Sequence, residues 1–497
     1  MKLIKTTAIV MAALTAITGC ACKSGSLDKN ATSLLNSLRS AAESGKFYYA
    51  HQDALVYGHD WKVEDVENDS LDRSDVRMVC GAHPAVVGFD LGGIELGDKT
   101  NLDGVDFSLM SRAAVTHVER GGIVTFSWHV RNPLTGGDAW DISSDKVVES
   151  VLEGGANHEM FMQWLSRVAD FFGTMKDADG KLIPLIFRPW HENIGSWFWW
   201  GAAFCDEQTY KSVYKYTVEY LRDEKNVHNF LYVYGPGSEA ASVEEYASRY
   251  PGDGYVDMVG FDMYHRNPQQ GDSFVTNFTK ELQIVDDFAQ AHGKLVAVTE
   301  TGTAHDVAEG DNQTALLKSE NTRPDWHQEI LDAVKGSNAS YYLVWANFGE
   351  KDGFYTPYVK SVKEDGAKHG HEMMDPFIRF FNQNNSIFAV NQKDALEQMK
   401  SVSIQAKPAA TQSGYIVAPV AGSRILDATL LSARISGVTA DDQVTFVLSG
   451  KDREITLQAQ IADGYATAQL EQDSLTALGE AVGTISLYIN NTVADTI

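Results

Sequence analysis

A chain of 497 residues with 44% hydrophobic residues exceeds one ordinary core and has material for two domains. Its 67 acidic residues against 41 basic ones give a net charge of −26, which would repel nucleic acid and favours a neutral partner. Four cysteines, two of them within the first 22 residues, rule out a disulfide scaffold, and Cys80 and Cys205 are expected as thiols.

The N-terminus reads as an export signal: Lys2 and Lys5, an apolar run from Ala8 to Ile17, then Ile17-Thr18-Gly19-Cys20. The run is too short to span a membrane. A small residue before Cys20 resembles a bacterial lipobox, whose cysteine is lipidated and begins the mature protein; an ordinary cleaved signal is the competing reading. Ala21 stands where an inner-membrane retention signal would prefer an acid, which points to the outer membrane, on its periplasmic or cell-surface face. Residues 1–20 are assigned to the signal and 21–40 to a linker.

Between 41 and 395, short β-like runs alternate with helical patterns, which favours parallel strands joined by crossover helices. The runs are "FYYAHQ" (47–52), "AVVGFDL" (85–91), "GIVTFSWHV" (122–130), "LIPLIFRPW" (182–190), "FLYVYGP" (230–236), "VDMVGFDMY" (256–264), "KLVAVTE" (294–300) and "SYYLVWANF" (340–348). In "NHEMFMQWLSRVADFFGTM", Phe161, Trp164, Leu165, Val168, Phe171 and Phe172 keep helical spacing, and "EMMDPFIRFFNQ" is the expected last helix. Eight such units predict an α/β fold of (β/α)8 TIM-barrel type, with an open doubly wound sheet as the alternative.

All ten tryptophans lie between Trp61 and Trp345, and the composition shifts at "SVSIQAKPAATQSG". Residues 396–412 are therefore read as a second linker. Short β-like runs separated by Gly and Asp turns make 413–497 a small Ig-like β-sandwich. With only Tyr415, Phe446, Tyr465 and Tyr488 as aromatics after residue 400, a spacer or packing role is expected of it rather than sugar binding.

In a barrel the chemistry lies at the C-terminal ends of the strands. Those ends supply His51, Gln52, Asp90, Trp128, His129, Arg188, His191, Glu192, Asp262, Tyr264, Glu300 and Trp345. Glu192 beyond strand four and Glu300 at the end of strand seven come from opposed walls, and paired carboxylates of this kind hydrolyse glycosidic bonds. A structural ion pair, for instance with Arg188, is the competing reading. Glu192 is surrounded by Trp190, Trp197, Phe198, Trp199 and Trp200, so desolvation should keep it protonated as an acid. Glu300 lies among Thr299, Thr301 and Gly302 and is expected to be the ionised partner that attacks. Aromatic faces beside an acid suit the apolar faces of sugar rings; Trp197 is expected to be exposed, and Trp199 and Trp200 to pack beneath the loop.

The motifs "RPWHE" followed by "GSWFWWG", "TE" at 299–300, "FSWHVRNP" and "GFDMY" resemble glycoside hydrolase family 26, the retaining β-mannanases of the large (β/α)8 glycosidase clan, over roughly residues 40–390. The resemblance implies cleavage of β-1,4-mannosidic linkages in mannan, glucomannan or galactomannan by double displacement, with Glu192 as acid/base and Glu300 as nucleophile. It further implies that His191 holds the sugar and the nucleophile near the cleavage point. His129 and Trp345 would line the sugar subsite before the scissile bond, Tyr264 would hydrogen-bond the nucleophile, and Trp197 would contact the sugar on the leaving side. Asp262 and Arg188 would order these groups from behind. The chain departs from the family where Glu192-Asn193-Ile194-Gly195 replaces Glu-Met-Asn-Gly, and where Ala346 replaces an arginine.

Three other readings compete. A zinc hydrolase of HExxH type fails because Gly195 stands where the second histidine is needed, and His369 and His371 are expected as solvated surface, so no metal and no cofactor is expected. A non-catalytic saccharide-binding lipoprotein would explain the aromatics and the export signal but not two opposed glutamates. Cleavage of β-glucan or β-1,3-xylan would use the same scaffold. The expected partners are a β-mannan chain and a membrane reached only through the Cys20 lipid; the protein is expected to be a monomer.

Overall fold

The computed structural model describes residues 27–266, 268, 272–304, 323, 325–348, 355–362, 368–371, 373–389, 412–419, 425–450, 453–462, 465–478 and 483–497. The barrel strands are β1 (Phe47–Gln52), β2 (Val86–Asp90), β3 (Ile123–Ser127), β4 (Leu185–Arg188), β5 (Phe230–Tyr234), β6 (Met258–Arg266), β7 (Leu295–Ala304) and β8 (Ala339–Val344). Each pairs in parallel with the next, and β8 pairs in parallel with β1. The sheet closes, so the open-sheet alternative falls and the chain forms a (β/α)8 barrel. A further short strand, Ser386–Ala389, adds to β1 from outside the ring.

Side chains alternate along each strand, and this period of two sorts the strand ends. Tyr48, Ala50, Ile186, Met258, Ala297, Tyr341 and Leu343 fill the barrel interior, and their odd-even partners pack against the helices. By the same parity Gln52, Asp90, His129, Arg188, Asp262, Tyr264 and Trp345 point inward at the C-terminal end. His51 and Trp128 fall on the helical side, and Trp190 lies beyond the end of β4, where a left-handed backbone takes it out of the count. Trp128 and Trp190 are buried in that outer core, and His51 is buried near His327 of the packing helix. These strand-end residues are core, not cleft.

The outer layer includes α1 (Lys29–Glu43), α2 (Phe107–Glu119), α3 (His158–Phe172), α4 (Glu207–Glu219), α5 (Phe274–His292), α6 (Trp326–Val334) and α7 (Met374–Phe381). Helix α3 buries Phe161, Trp164, Leu165, Val168, Phe171 and Phe172, the stripe its periodicity predicts. Helix α1 corrects the expectation of a linker over 21–40. Asp28 caps it through a 2.8 Å bond from the Ala31 N–H, and Ala31, Leu34, Leu38, Ala41 and Ala42 pack onto the interior residues at the N-terminal ends of the strands. It plugs the bottom of the barrel. His371 is also corrected: it is buried edge-on to Tyr358 and accepts the Met373 N–H at 3.1 Å, so it is not solvated surface.

Cys20, Cys22, the 1–20 signal and most of 396–412 lie outside the described residues. Among the described residues neither Cys80 nor Cys205 forms a disulfide. The C-terminal residues form two four-stranded antiparallel sheets around Ile416, Leu431, Phe446, Leu448, Leu470 and Leu487. A seven-residue helix, Gln472–Leu478, and the strands Ser413–Ala418 and Thr492–Thr496 are elements there that the sequence pattern did not announce.

Candidate active site

The loop leaving β4 presents Glu192 from a strained backbone. Trp190 and Glu192 have φ of 56° and 51°, left-handed values that cost a non-glycine residue roughly 1–3 kcal/mol each. Surrounding groups hold the strain in place. Tyr210 donates its hydroxyl to the Trp190 carbonyl at 2.8 Å, Trp200 donates Nε1–H to the His191 carbonyl at 2.7 Å, and Trp190 donates its own Nε1–H to Thr217 at 3.0 Å. The backbone N–H groups of Glu192 and Ile194 donate to the carbonyls of Gly235 and Pro236, beyond β5. The run of aromatics at 197–200 thus splits: Phe198, Trp199 and Trp200 are buried scaffolding, whereas Trp197 is 38% exposed. Trp197 lies back over Gly195, where a Cβ would come within 2.4 Å of its ring, and donates Nε1–H to Glu192 Oε2 at 2.6 Å.

Glu300 reaches the cleft by a different device. Val296 and Val298 of β7 face the helices and Ala297 faces the interior, so strict alternation would send Glu300 outward into the helical layer. The register against β6 slips between Val298 and Glu300, which places Glu300 opposite Asp262. This bulge at Thr299 turns Glu300 inward. The Thr299 hydroxyl fastens it, at 3.0 Å from the Phe261 carbonyl and 2.6 Å from Asp262 Oδ1.

Inside the cleft Arg188 bridges two acids, donating Nη1–H to Asp262 at 2.6 Å and Nη2–H to Glu300 Oε1. Tyr264 donates its hydroxyl to the other Glu300 oxygen at 2.8 Å. One carboxylate oxygen from each of Glu192, Asp262 and Glu300 lies within 4.8 Å of the other two. Burial, followed by the negative charges of Asp262 and Glu300, holds the Glu192 carboxyl well above the usual range, more than the Trp197 N–H and Arg188 pull it back. Burial also pushes Asp262 up to about 7, against the pull of Arg188. Three carboxylates at this spacing could hold a cation, and Arg188 already brings a positive charge to two of them.

The second wall is a histidine pair. His129 Nδ1 lies 2.8 Å from Asp90 Oδ2, which also accepts the Ser127 hydroxyl at 2.6 Å. Burial opposes the imidazolium of His129, but Asp90 and Glu300 outweigh it and raise the ring above its usual value. His191 is pushed well below by burial and by the charges of Arg188 and His129. The two rings meet with Nε2 atoms 3.2 Å apart, which suits a charged His129 donating to a neutral His191. His191 therefore engages His129 in place of the contact with the nucleophile that the resemblance implied, and its buried Nδ1 has no partner among the described residues. Trp345 is half-buried with its ring 6.2 Å from His129.

The nine residues to which the sequence reading gave a catalytic, substrate-binding or supporting role, His129, Arg188, His191, Glu192, Trp197, Asp262, Tyr264, Glu300 and Trp345, gather at one end of the barrel. Two more belong with them. Asp90 orients His129, and its place at a strand end was visible. Trp140 was missed: it is 47% exposed in the segment leaving β3 and stacks on His129 with centroids 5.1 Å apart and an interplanar angle of 16°. Ala139, next to it, accepts the Trp199 N–H at 3.2 Å, which ties this platform to the Glu192 loop. A tryptophan flanked by acids in a strand-to-helix loop was the available signal.

The family model for glycosyl hydrolase family 26 matches residues 29–349. A curated mannan endo-1,4-beta-mannosidase from Bifidobacterium adolescentis is 32% identical over 432 residues, 84% of this chain; the match spans 41% of that relative's length. Among solved structures, a family 26 beta-mannanase from Bacteroides ovatus is 37% identical with a TM-score of 0.62, covering 74% of this chain and 97% of its own. A modular endo-beta-1,4-mannanase from Cellulomonas fimi is 28% identical with a TM-score of 0.61, covering 94% of this chain and 96% of its own. By the match of the family model, with a fold and a pair of inward glutamates that accord with it, the chain belongs to glycosyl hydrolase family 26.

Proposed function

We propose that this chain hydrolyses β-1,4-mannosidic linkages in mannan, glucomannan or galactomannan with retention of configuration. The carrying observation is the spacing of Glu192 and Glu300, whose nearest oxygens lie within 4.8 Å. Retaining glycosidases hold their carboxyls about 5–5.5 Å apart, whereas inverting ones need about 6.5–9.5 Å for a water. In the first step a Glu300 oxygen bonds to the anomeric carbon while Glu192, kept protonated by burial, gives its proton to the departing glycosidic oxygen. In the second, Glu192 takes a proton from water, the water oxygen replaces Glu300, and the carboxylate is regenerated. Trp197 fixes the proton-bearing group on the leaving side. Trp140 and Trp345 offer ring faces to the sugars, and the His129–Asp90 pair places a positive ring beside them.

Mannan as the substrate is supported by what the similar proteins from B. adolescentis, B. ovatus and C. fimi are named for. The test is incubation with galactomannan, glucomannan, lichenan and xylan. Reducing ends should rise fastest on the mannans, with the β-anomer first in proton NMR. A preference for lichenan or xylan refutes the substrate, and an α-anomer first refutes retention.

We infer also that the protein works as a monomer anchored to the outer membrane through lipid at Cys20. The support is the Ile17-Thr18-Gly19-Cys20 sequence, and among the described residues no helix is long and apolar enough to cross a membrane. Cys20→Ala should move the protein from the membrane fraction into the soluble fraction; retention in the membrane fraction refutes it.

A further inference from the structure

We propose that the anchored enzyme stands on the membrane on the bottom of its barrel, with the catalytic cleft held on the far side, open to a long polysaccharide. The inference rests on lipidation at Cys20 and adds an orientation to it. Its geometry starts at the first described residues. The Asp28 N–H donates to the His228 carbonyl at 2.8 Å, just before β5 begins, and Asp28 caps helix α1. Helix α1 in turn covers the N-terminal ends of the strands, where Tyr48, Ile123, Leu231 and Tyr341 meet it. The chain therefore enters the barrel at the end opposite Glu192 and Glu300.

The tether is short against the barrel. Six residues, and so seven Cα-to-Cα steps, separate Leu27 from Cys20, and at most about 3.5 Å per step gives a reach of about 25 Å. Helix α5, which runs beside the barrel from the catalytic end to the bottom, has 19 residues and is about 28 Å long. A lipid held within 25 Å of the bottom face cannot be brought round to the cleft, because the tether would be spent before it passed the helical layer. The membrane is thus confined to the bottom side.

Charge acts in the same sense. In each of the segments leaving β2, β3, β4 and β5 the acids outnumber the bases, as with Glu95, Asp98, Asp103 and Asp106 against Lys99. The opposite end is mixed, with exposed Lys29, Lys181, Lys225 and Lys335 beside the exposed acids Asp179, Asp223 and Glu224. An anionic headgroup surface therefore repels the cleft face more than the bottom face within about one Debye length, about 10 Å in 0.1 M salt.

The test uses the full chain made in an exporting bacterium, purified in detergent and returned to vesicles containing anionic phospholipid and a metal-chelating lipid that quenches fluorophores at short range. In a Cys22→Ser, Cys80→Ser, Cys205→Ser background, a fluorophore is attached at Lys225→Cys, on the bottom, or at Asp145→Cys, on the catalytic side. The bottom label should be quenched several-fold more than the catalytic-side label, and cleavage of galactomannan by the bound protein should match that in detergent. Equal quenching of both labels, or stronger quenching of the catalytic-side label, overturns the orientation while leaving the anchor intact. If the unsubstituted protein sediments with vesicles no better than Cys20→Ala, the anchor itself is refuted and the orientation with it.

Discussion

Replacing Asp262 by asparagine tests whether the carboxylate cluster sets the acidity of Glu192. Asp262 and Glu192 have oxygens within 4.8 Å of each other. Two unit charges at that distance interact by about 3 kcal/mol at an effective dielectric of 20, equivalent to roughly two pH units. Asp262 itself titrates near 7, so only part of that interaction is present at neutral pH and the observable shift is about one unit. The sign follows from the acid's role. Glu192 must be protonated to assist departure, so kcat/KM falls as pH rises through its raised pKa. Removing a neighbouring negative charge favours its ionised form, and the unbalanced Arg188 acts in the same direction. The basic limb of the pH profile on mannan should therefore move to lower pH in Asp262→Asn. An activated aryl glycoside, whose leaving group needs no proton, should show no such movement in its glycosylation step. A basic limb that stays in place or moves upward refutes the assignment of Glu192 as the acid tuned by its neighbours.

Trp140→Ala removes the ring stacked on His129 and should lower kcat/KM on manno-oligosaccharides about 3- to 10-fold, the worth of one aromatic platform, with an unchanged melting temperature; an unchanged kcat/KM refutes its place in the cleft. Thr299→Val removes the two hydroxyl bonds that fasten the bulge and should lower kcat about tenfold or more, from the roughly 1.5–3 kcal/mol of a bond to a charged acceptor. Equal rates would mean that the bulge holds without them. Leu34→Ala in the bottom plug should destabilise the barrel by about 2–5 kcal/mol in denaturant unfolding while leaving KM unchanged, and a changed KM would mean that the plug reaches the cleft.

The strands were legible because each is a short β-branched or aromatic run ended by turn residues, and the cleft was legible because charged and polar groups at such ends seldom serve packing. Parity sharpens this: counted along the strand, it separates His129 from Trp128 and Gln52 from His51. Glu300 breaks the count, since Val296 and Val298 send it outward, and "KLVAVTE" does not announce the extra residue that turns it back. The conflict itself was the clue, because an unpaired glutamate among buried helices would cost several kcal/mol. Helix α1 was hidden by alanines and serines beside a signal sequence, although Ala31, Leu34, Leu38, Ala41 and Ala42 keep helical spacing after a capping Asp28. Exposure was less legible: Trp164 declares itself by its place in the apolar stripe of α3, whereas Trp140, open on the cleft, carries only the weak signal of neighbouring acids in a loop.

The most direct test of the central claim is to capture the covalent intermediate. A 2-deoxy-2-fluoro mannosyl donor with an activated leaving group slows both steps but the second more, so the glycosyl-enzyme should accumulate. Peptide mapping by mass spectrometry should place the sugar on Glu300, and Glu192→Ala should still acquire the label, whereas Glu300→Ala should not. A label on Glu192, or turnover of the donor to an inverted product with no label on any residue, would contradict the account.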